Sequence, residues 1–222
     1  MIDTWRLYPV LALAALAGAS LWLERITRGV FRRPLPSTAA PLTSNSIDWK
    51  TCILSTQHIM GHDLHVGGTT ALGERGHAHY LRLGESAPVW VYGDSIPNWL
   101  VKLPMDAPIR TRPRSLFTDP KLGLIEGKTT GQPWDWGLTM STPERAILEA
   151  MDELPDHESF HTLDMVFESL TTLRPKLLSD LLQASRKIKV KRLFFVFADR
   201  TSGHGSYPAG RFLDAEPPRD GK

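Results

Sequence analysis

The sequence has almost no cysteine, little net charge and no internal repeat. A single cysteine, Cys52, stands among 222 residues, which excludes an internal disulfide framework and any cysteine-rich zinc module. The 26 Lys and Arg against 24 Asp and Glu leave a formal charge of +2, too small by itself to argue for nucleic acid. No period of roughly 20–50 residues is visible, so solenoid architectures are set aside. What is present is enough apolar material for a core: 41% of the residues are hydrophobic, so wholesale disorder and collagen-like repetition are also excluded. The length suits one large domain or two small ones, at roughly 100–200 residues each.

The small net charge hides an uneven distribution. Glu144 to Glu168 holds eight acids and one base, a net of −7, whereas Arg174 to Arg192 holds seven bases and one acid, a net of +6. Such asymmetry fits either charged partners or two neighbouring faces that neutralise each other. At the N-terminus, Leu7 to Leu23 is uncharged and falls at the short end of the roughly 17–25 residues that span a bilayer. Trp5 and Trp22 flank it, and Arg25, Arg28, Arg32 and Arg33 follow, as in a membrane anchor with the remainder held inside. Its alanine content makes insertion marginal, and a buried helix of a small helical domain is the alternative.

Pro34 to Ser46 is rich in Pro, Ser and Thr and reads as a linker. Beyond it the pattern predicts a helix over 49–60, a short strand over 64–66, and a helix from Thr69, its N-cap, to about Leu83. Strands are expected over 88–92 and 107–112, with a helical turn at 97–100 between them. Residues 121–133 read as turns, and 136–140 as a strand leading into a helix. Ser141 and Glu144 have the spacing of a capping box, with Pro143 in the first turn. Three apolar faces follow at helical spacing: Ile147, Leu148, Met151 and Leu154; Phe160, Leu163, Phe167 and Leu170; Leu177, Leu178, Leu181 and Leu182. Arg186 to Arg192 alternates as a strand would, but Val190, Leu193, Phe194 and Phe197 favour a helix. The stretch from Arg200 to Lys222 reads as a disordered tail.

No enzyme constellation survives inspection. His157-Glu158-Ser159-Phe160-His161 matches H-E-x-x-H, in which two histidines one helical turn apart bind zinc and the glutamate activates water. Here Pro155 and Asp156 precede it and Ser159 is a natural N-cap, so the two imidazoles do not share a helix face. His58, His62, His65, His77 and His79 offer no coherent ligand set across the expected element boundaries. Gly67-Gly68 lies where a helix N-terminus can receive phosphate, but neither glycine-rich nucleotide fingerprint is present and a plain turn is the simpler reading. Ser206 lacks a nucleophile elbow because His204 occupies the first glycine position. Cys52 reads as a core residue. The sequence therefore calls for no cofactor, no metal and no catalytic residue.

Two basic segments remain. Glu24 to Pro34 alternates apolar and basic residues around Gly29, and a two-stranded ribbon of this kind lays Arg25, Arg28, Arg32 and Arg33 along a phosphate backbone. The other reading is a solvated edge strand or membrane-flanking arginines. In the second segment Lys187, Lys189, Lys191 and Arg192 are candidate contacts to an acidic partner or nucleic acid, or counterions for the acidic helices before them.

Five stretches carry a family resemblance. Residues 22–34 resemble the wing end of the N-terminal winged helix of AbiEi-family antitoxins. Leu64-His65-Val66-Gly67-Gly68-Thr69-Thr70-Ala71-Leu72, with Ala78-His79-Tyr80-Leu81, is similar to that family's next segment. Ser141-Thr142-Pro143-Glu144-Arg145-Ala146 through His161, with Lys189-Val190-Lys191-Arg192-Leu193-Phe194 to Arg200, is the longest match, and its last block is the most specific. The resemblance covers roughly residues 21–200. It implies a cytoplasmic transcriptional regulator that doubles as the antitoxin of a type IV toxin–antitoxin pair. Such a protein represses its own operon through operator DNA and opposes a nucleotidyltransferase-like toxin without necessarily forming a stable complex. Family members precede the wing with a helix-turn-helix that bears polar residues, whereas residues 7–20 here are almost wholly apolar. The expected architecture is α+β: a winged-helix remnant over 1–34, a linker over 35–46, a mixed α/β domain ending in a helical bundle over 47–199, and the tail. The alternative is a membrane-anchored interaction protein with that domain in the cytoplasm.

Overall fold

The computed structural model describes residues 24–27, 30–32, 46–77, 87–128 and 136–202. The chain divides into two units, residues 1–46 with 102–104 and residues 47–101 with 105–222. In the first unit, β1 (Glu24–Thr27) and β2 (Val30–Arg32) form an antiparallel hairpin. Glu24 stands opposite Arg32, Arg25 opposite Phe31 and Thr27 opposite Val30, with the register shifting after Arg25. The apolar run over residues 7–23 and the linker up to residue 45 lie outside the described residues.

The second unit is built on a five-stranded sheet. Helix α1 (Trp49–Leu54) starts at Asp48, whose carboxylate accepts from the amides of Lys50 and Thr51, and passes into a π-helical turn, Ser55–Ile59. Strand β3 (Leu64–Val66) is buried at every position. It leads through Gly67 into α2 (Gly68–Leu72), followed by a π-helical turn, Gly73–His77, that Gly76 ends at φ 84°. Next come β4 (Val89–Gly93), a 3₁₀ turn (Leu100–Lys102), β5 (Ile109–Arg112), β6 (Leu124–Lys128) and β7 (Gly137–Ser141). The strand order is β5-β4-β3-β7-β6. The pairs β4–β5 and β3–β7 are parallel, and β3–β4 and β6–β7 antiparallel. Between β3 and β7 the register holds a single pair, Val66 with Met140. The side-chain amide of Gln57 completes this seam: it donates to the carbonyls of Leu64 (3.0 Å) and Thr139 (3.2 Å) and accepts from the Thr139 amide (3.1 Å).

Four helices follow: α3 (Pro143–Asp152), α4 (Phe160–Ser169), α5 (Pro175–Ala184) and α6 (Ile188–Ser202). Helix α3 packs against α2, α4, α5 and α6, and its Ala146, Ile147, Leu148, Ala150 and Met151 are at most 1% exposed. Around it close Leu163 and Phe167 of α4, Leu178 and Leu181 of α5, and Val190, Phe194 and Phe197 of α6. The ring of Phe167 lies 5.6 Å from Phe194 and 5.9 Å from Phe197. Each such buried ring contributes about 2–3 kcal/mol against leaving it in water. The α+β class and the helical periodicity expected of the C-terminal half are therefore observed, and Arg186 to Arg192 leads into a helix rather than a strand.

Four expectations are corrected. Residues 124–128 are not turns but an edge strand, because a Gly123 turn (φ 74°) lets them pair with β7 over five register positions. Thr69 does not cap α2: Gly67 does, and the Thr69 hydroxyl donates to Glu158 at 2.7 Å instead. Nor do Ser141 and Glu144 form a capping box. Thr142 is the cap residue, Ser141 donates to Glu149, and Glu144 is drawn across to Arg174. Finally, Arg200 to Ser202, the first three residues of the expected tail, belong to α6, with an Arg200–Asp164 ion pair at 2.9 Å; the rest of that stretch lies outside the described residues.

Candidate functional site

The polar side chains of the second unit converge on two places, one closed and one open. The closed one is the carboxylate of Glu149, 1% exposed on α3. It accepts from Arg145 Nε (2.7 Å), Ser141 Oγ (2.7 Å), His65 Nε2 (3.0 Å) and the Gly68 amide (3.1 Å). Arg145 lies one helical turn before Glu149 and spends a further nitrogen on the carbonyls of Pro120 and Leu122. Burial works to raise the Glu149 pKa, but the neighbouring His65 and Arg145, with their hydrogen bonds, outweigh it and bring the carboxyl down to about 2. Burial dominates at His65, pushing its pKa below the ordinary value against the pull of Glu149; the imidazole is neutral at pH 7 and gives its Nε2 proton to the carboxylate. With four donors on two oxygens, this carboxylate has no lone pair left for a metal or a substrate.

Glu149 also explains the glycine pair. A Cβ on Gly67 would stand 2.1 Å from Glu149 Oε2 and 2.8 Å from the Tyr92 ring. The protein's own carboxylate thus fills the place at the start of α2 where sequence reasoning considered a phosphate, and the plain-turn reading acquires its reason.

The open place is a cleft of about 200 Å³ at the carboxyl ends of β4 and β5, between Tyr92, Arg112, Ser115 and the end of α3. Arg112 forms a two-bonded pair with Glu153, both contacts 2.8 Å. Lys187 holds both oxygens of Asp152, at 2.8 and 2.7 Å. Asp156 and His157 stand on the same wall. Arg110 and Arg112 lie over the ring of the buried Trp90, at 5.5 and 5.1 Å from its centroid, and Arg110 donates to His157 Nδ1 at 2.9 Å.

The residues singled out from the sequence are dispersed. Arg25 and Arg32 occupy paired strands of the hairpin, and Arg28 and Arg33 lie outside the described residues. Lys187 and Lys189, both exposed, reach the end of α3: Lys187 pairs with Asp152, and Lys189 Nζ donates to the carbonyls of Asp152 and Leu154 at 2.8 and 2.6 Å, where a cation meets the negative end of the helix. Lys191 and Arg192 follow on α6. The H-E-x-x-H match is broken in space. His157 precedes the helix, Ser159 caps it by accepting from the Thr162 amide, and Glu158 accepts from Thr69 Oγ1 and Trp90 Nε1. His58 stacks on Trp136 and His77 contacts Ser169. Cys52 is buried, which pushes its thiol up to about 11. Sequence reasoning passed over Glu149 and Trp90. The Arg145–Glu149 spacing of four was visible, but nothing local shows that both are buried.

Two family models meet these features. Residues 11–83 match the transcriptional regulator AbiEi antitoxin N-terminal domain, and residues 86–216 match the transcriptional regulator AbiEi antitoxin of type IV toxin–antitoxin systems. The chain belongs to the AbiEi antitoxin family. The boundary between the two AbiEi matches falls between α2 and β4, so β3 and α2 of the five-stranded unit lie within the N-terminal match. No curated protein matches the chain significantly. Among solved structures it is similar to the RV2827C protein from Mycobacterium tuberculosis, with 13% identity and a TM-score of 0.59. That match covers 92% of this chain and 68% of the other, a likeness of fold.

Proposed function

We propose that this AbiEi-family protein is the antitoxin of a type IV toxin–antitoxin pair and a DNA-binding repressor of its own operon. The observation that carries the reading is the pair of regulator and antitoxin matches, which together span residues 11–216. The arginine-bearing hairpin supports it, because its basic residues would lie along operator phosphates. The partners are then operator DNA and a nucleotidyltransferase-like toxin, opposed without necessarily forming a stable complex, and the place of action is the cytoplasm. The second unit is assigned no catalytic step, since Glu158 and Glu149 are both committed to internal donors. Among the described residues no helix is long and apolar enough to cross a membrane, and the apolar run over residues 7–23 lies outside them.

The test is operator binding as a function of salt. Changing Arg25, Arg28, Arg32 and Arg33 together to alanine is expected to lower the log–log salt slope by about 3–4, at roughly 0.9 per phosphate contact. Unchanged binding and slope would overturn the assignment of the hairpin to DNA.

A further inference from the structure

We propose that the outward face of α6 is a self-association surface, on which a second copy of this chain docks antiparallel about a two-fold axis. Successive residues of a helix are turned by about 100°. Val190, Phe194, Phe197 and Ala198 therefore form one stripe, and all four are buried against the core. On the opposite side the same turn lines up Ile188, Arg192, Phe195, Val196 and Asp199. An outward helix face is ordinarily polar. This one carries Ile188 at 53% and Val196 at 54% exposure, with Phe195 only partly buried. Phe160 of α4, 50% exposed, extends the apolar surface where its ring stacks on Phe197 at 6.4 Å. Three of the seven large apolar side chains exposed among the described residues thus fall on α4 and α6. The cations at the margin are already used, Lys189 on the carbonyls of Asp152 and Leu154 and Arg200 on Asp164.

The charge pattern selects a second copy as the occupant. Arg192 and Asp199 stand two helical turns apart on this face, with Phe195 and Val196 midway between them. A two-fold axis passing between Phe195 and Val196 sets Phe195 against Val196 of the second copy and Arg192 against its Asp199, and repeats both pairs. A closed two-fold interface requires such self-complementarity. Asp199 is exposed and in no ion pair among the described residues. Arg192 already has an interaction within its own chain, so the crossed pairs fix the register more than they add affinity.

The experiment is sedimentation equilibrium of the full chain without DNA, so its outcome is separate from that of the operator test. One helix pair is a small contact, and a monomer–dimer equilibrium with a Kd on the order of 10–100 µM is expected. Val196→Glu, at an exposed position, should leave the melting temperature unchanged and weaken the dimer about a hundredfold, because it buries like charges at the centre of the interface. Arg192→Asp and Asp199→Arg each set like charges across the interface and should weaken the homodimer about tenfold. Mixed in equal amounts, these two variants should associate again, since every crossed pair is then of opposite sign; a contact within one chain cannot give that result. A monomer at all concentrations overturns the proposal, and if Val196→Glu then also lowers the melting temperature, the face is covered by a segment of its own chain. Dimerisation unaffected by Val196→Glu, or single variants that do not recover on mixing, overturns it as well.

Discussion

Replacing Glu149 with glutamine keeps the volume of the side chain but turns one of its two acceptor oxygens into a donor. Of the four groups now satisfied by the carboxylate, those on Oε2 (Ser141 and Gly68) or those on Oε1 (His65 and Arg145) must lose their acceptor. Arg145, 1% exposed, keeps its charge with no counterion. Breaking one partner of a buried pair costs about 3–5 kcal/mol, a large share of the roughly 5–15 kcal/mol that holds a domain folded. The pH dependence gives a sharper signature. The folded carboxyl titrates at about 2 and the ordinary value is 4.5, so on acidification the unfolded chain takes up the proton first. The contribution is whole above pH 4.5 and drains away as pH falls toward 2. That gap corresponds to about 3 kcal/mol. Urea unfolding of wild type and Glu149→Gln should therefore differ most near neutrality and converge in acid, where the protonated wild-type carboxyl resembles the amide. A difference below about 1 kcal/mol at pH 7, or one that stays constant down to pH 2, refutes the hub.

Other outcomes follow from the same packing. Glu149→Ala should be partly rescued by formate, which fits the vacated donors, and thermal melts with and without formate show whether it is. Because burial keeps His65 neutral with a pKa below 6.5, the unfolded chain binds protons more readily there, and stability is expected to decline as pH drops through 6.5; His65→Gln should flatten that part of the profile. Gly67→Ala forces a methyl onto Glu149 and Tyr92 and should cost about 1–3 kcal/mol in denaturant, whereas Gly61→Ala, with open space around it, tests the strain of its φ of 69° alone. Cys52 should resist iodoacetamide in the native protein at pH 7 and react after unfolding, since burial and a thiol pKa of about 11 both suppress the thiolate; rapid native labelling would contradict its placement.

The parts of the fold that the sequence displays are those decided locally. Leu163, Phe167, Leu178 and Leu181 recur at helical spacing, and Ser159 has the chemistry of a cap, so α4 and α5 could be read directly. Strand β6 could not, because Leu124 to Lys128 contains a glycine and alternates weakly, and its existence depends on a partner strand nine residues further on. Thr69 and Ser141 misled for a related reason. Both have hydroxyls suited to capping, yet buried carboxylates from distant elements compete for them and win. The basic run before α6 was legible as charge but not as geometry: Lys187 and Lys189 meet Asp152 and the end of α3, some 35 residues away in sequence. The cleft was invisible for the same reason, since its walls come from segments that meet only once the chain has folded.

Gln57 gives the five-stranded sheet an unusual dependence on the π-helical turn that follows α1. Because one side-chain amide supplies the bonding that the β3–β7 pair lacks, the helical segment that carries it is stitched into the plane of the sheet. A fragment beginning after this segment would keep all five strands yet open a gap in the middle of the ladder. There a foreign strand would find the amide and carbonyl groups that Gln57 now claims, so such a fragment is expected to self-associate more readily than the whole chain.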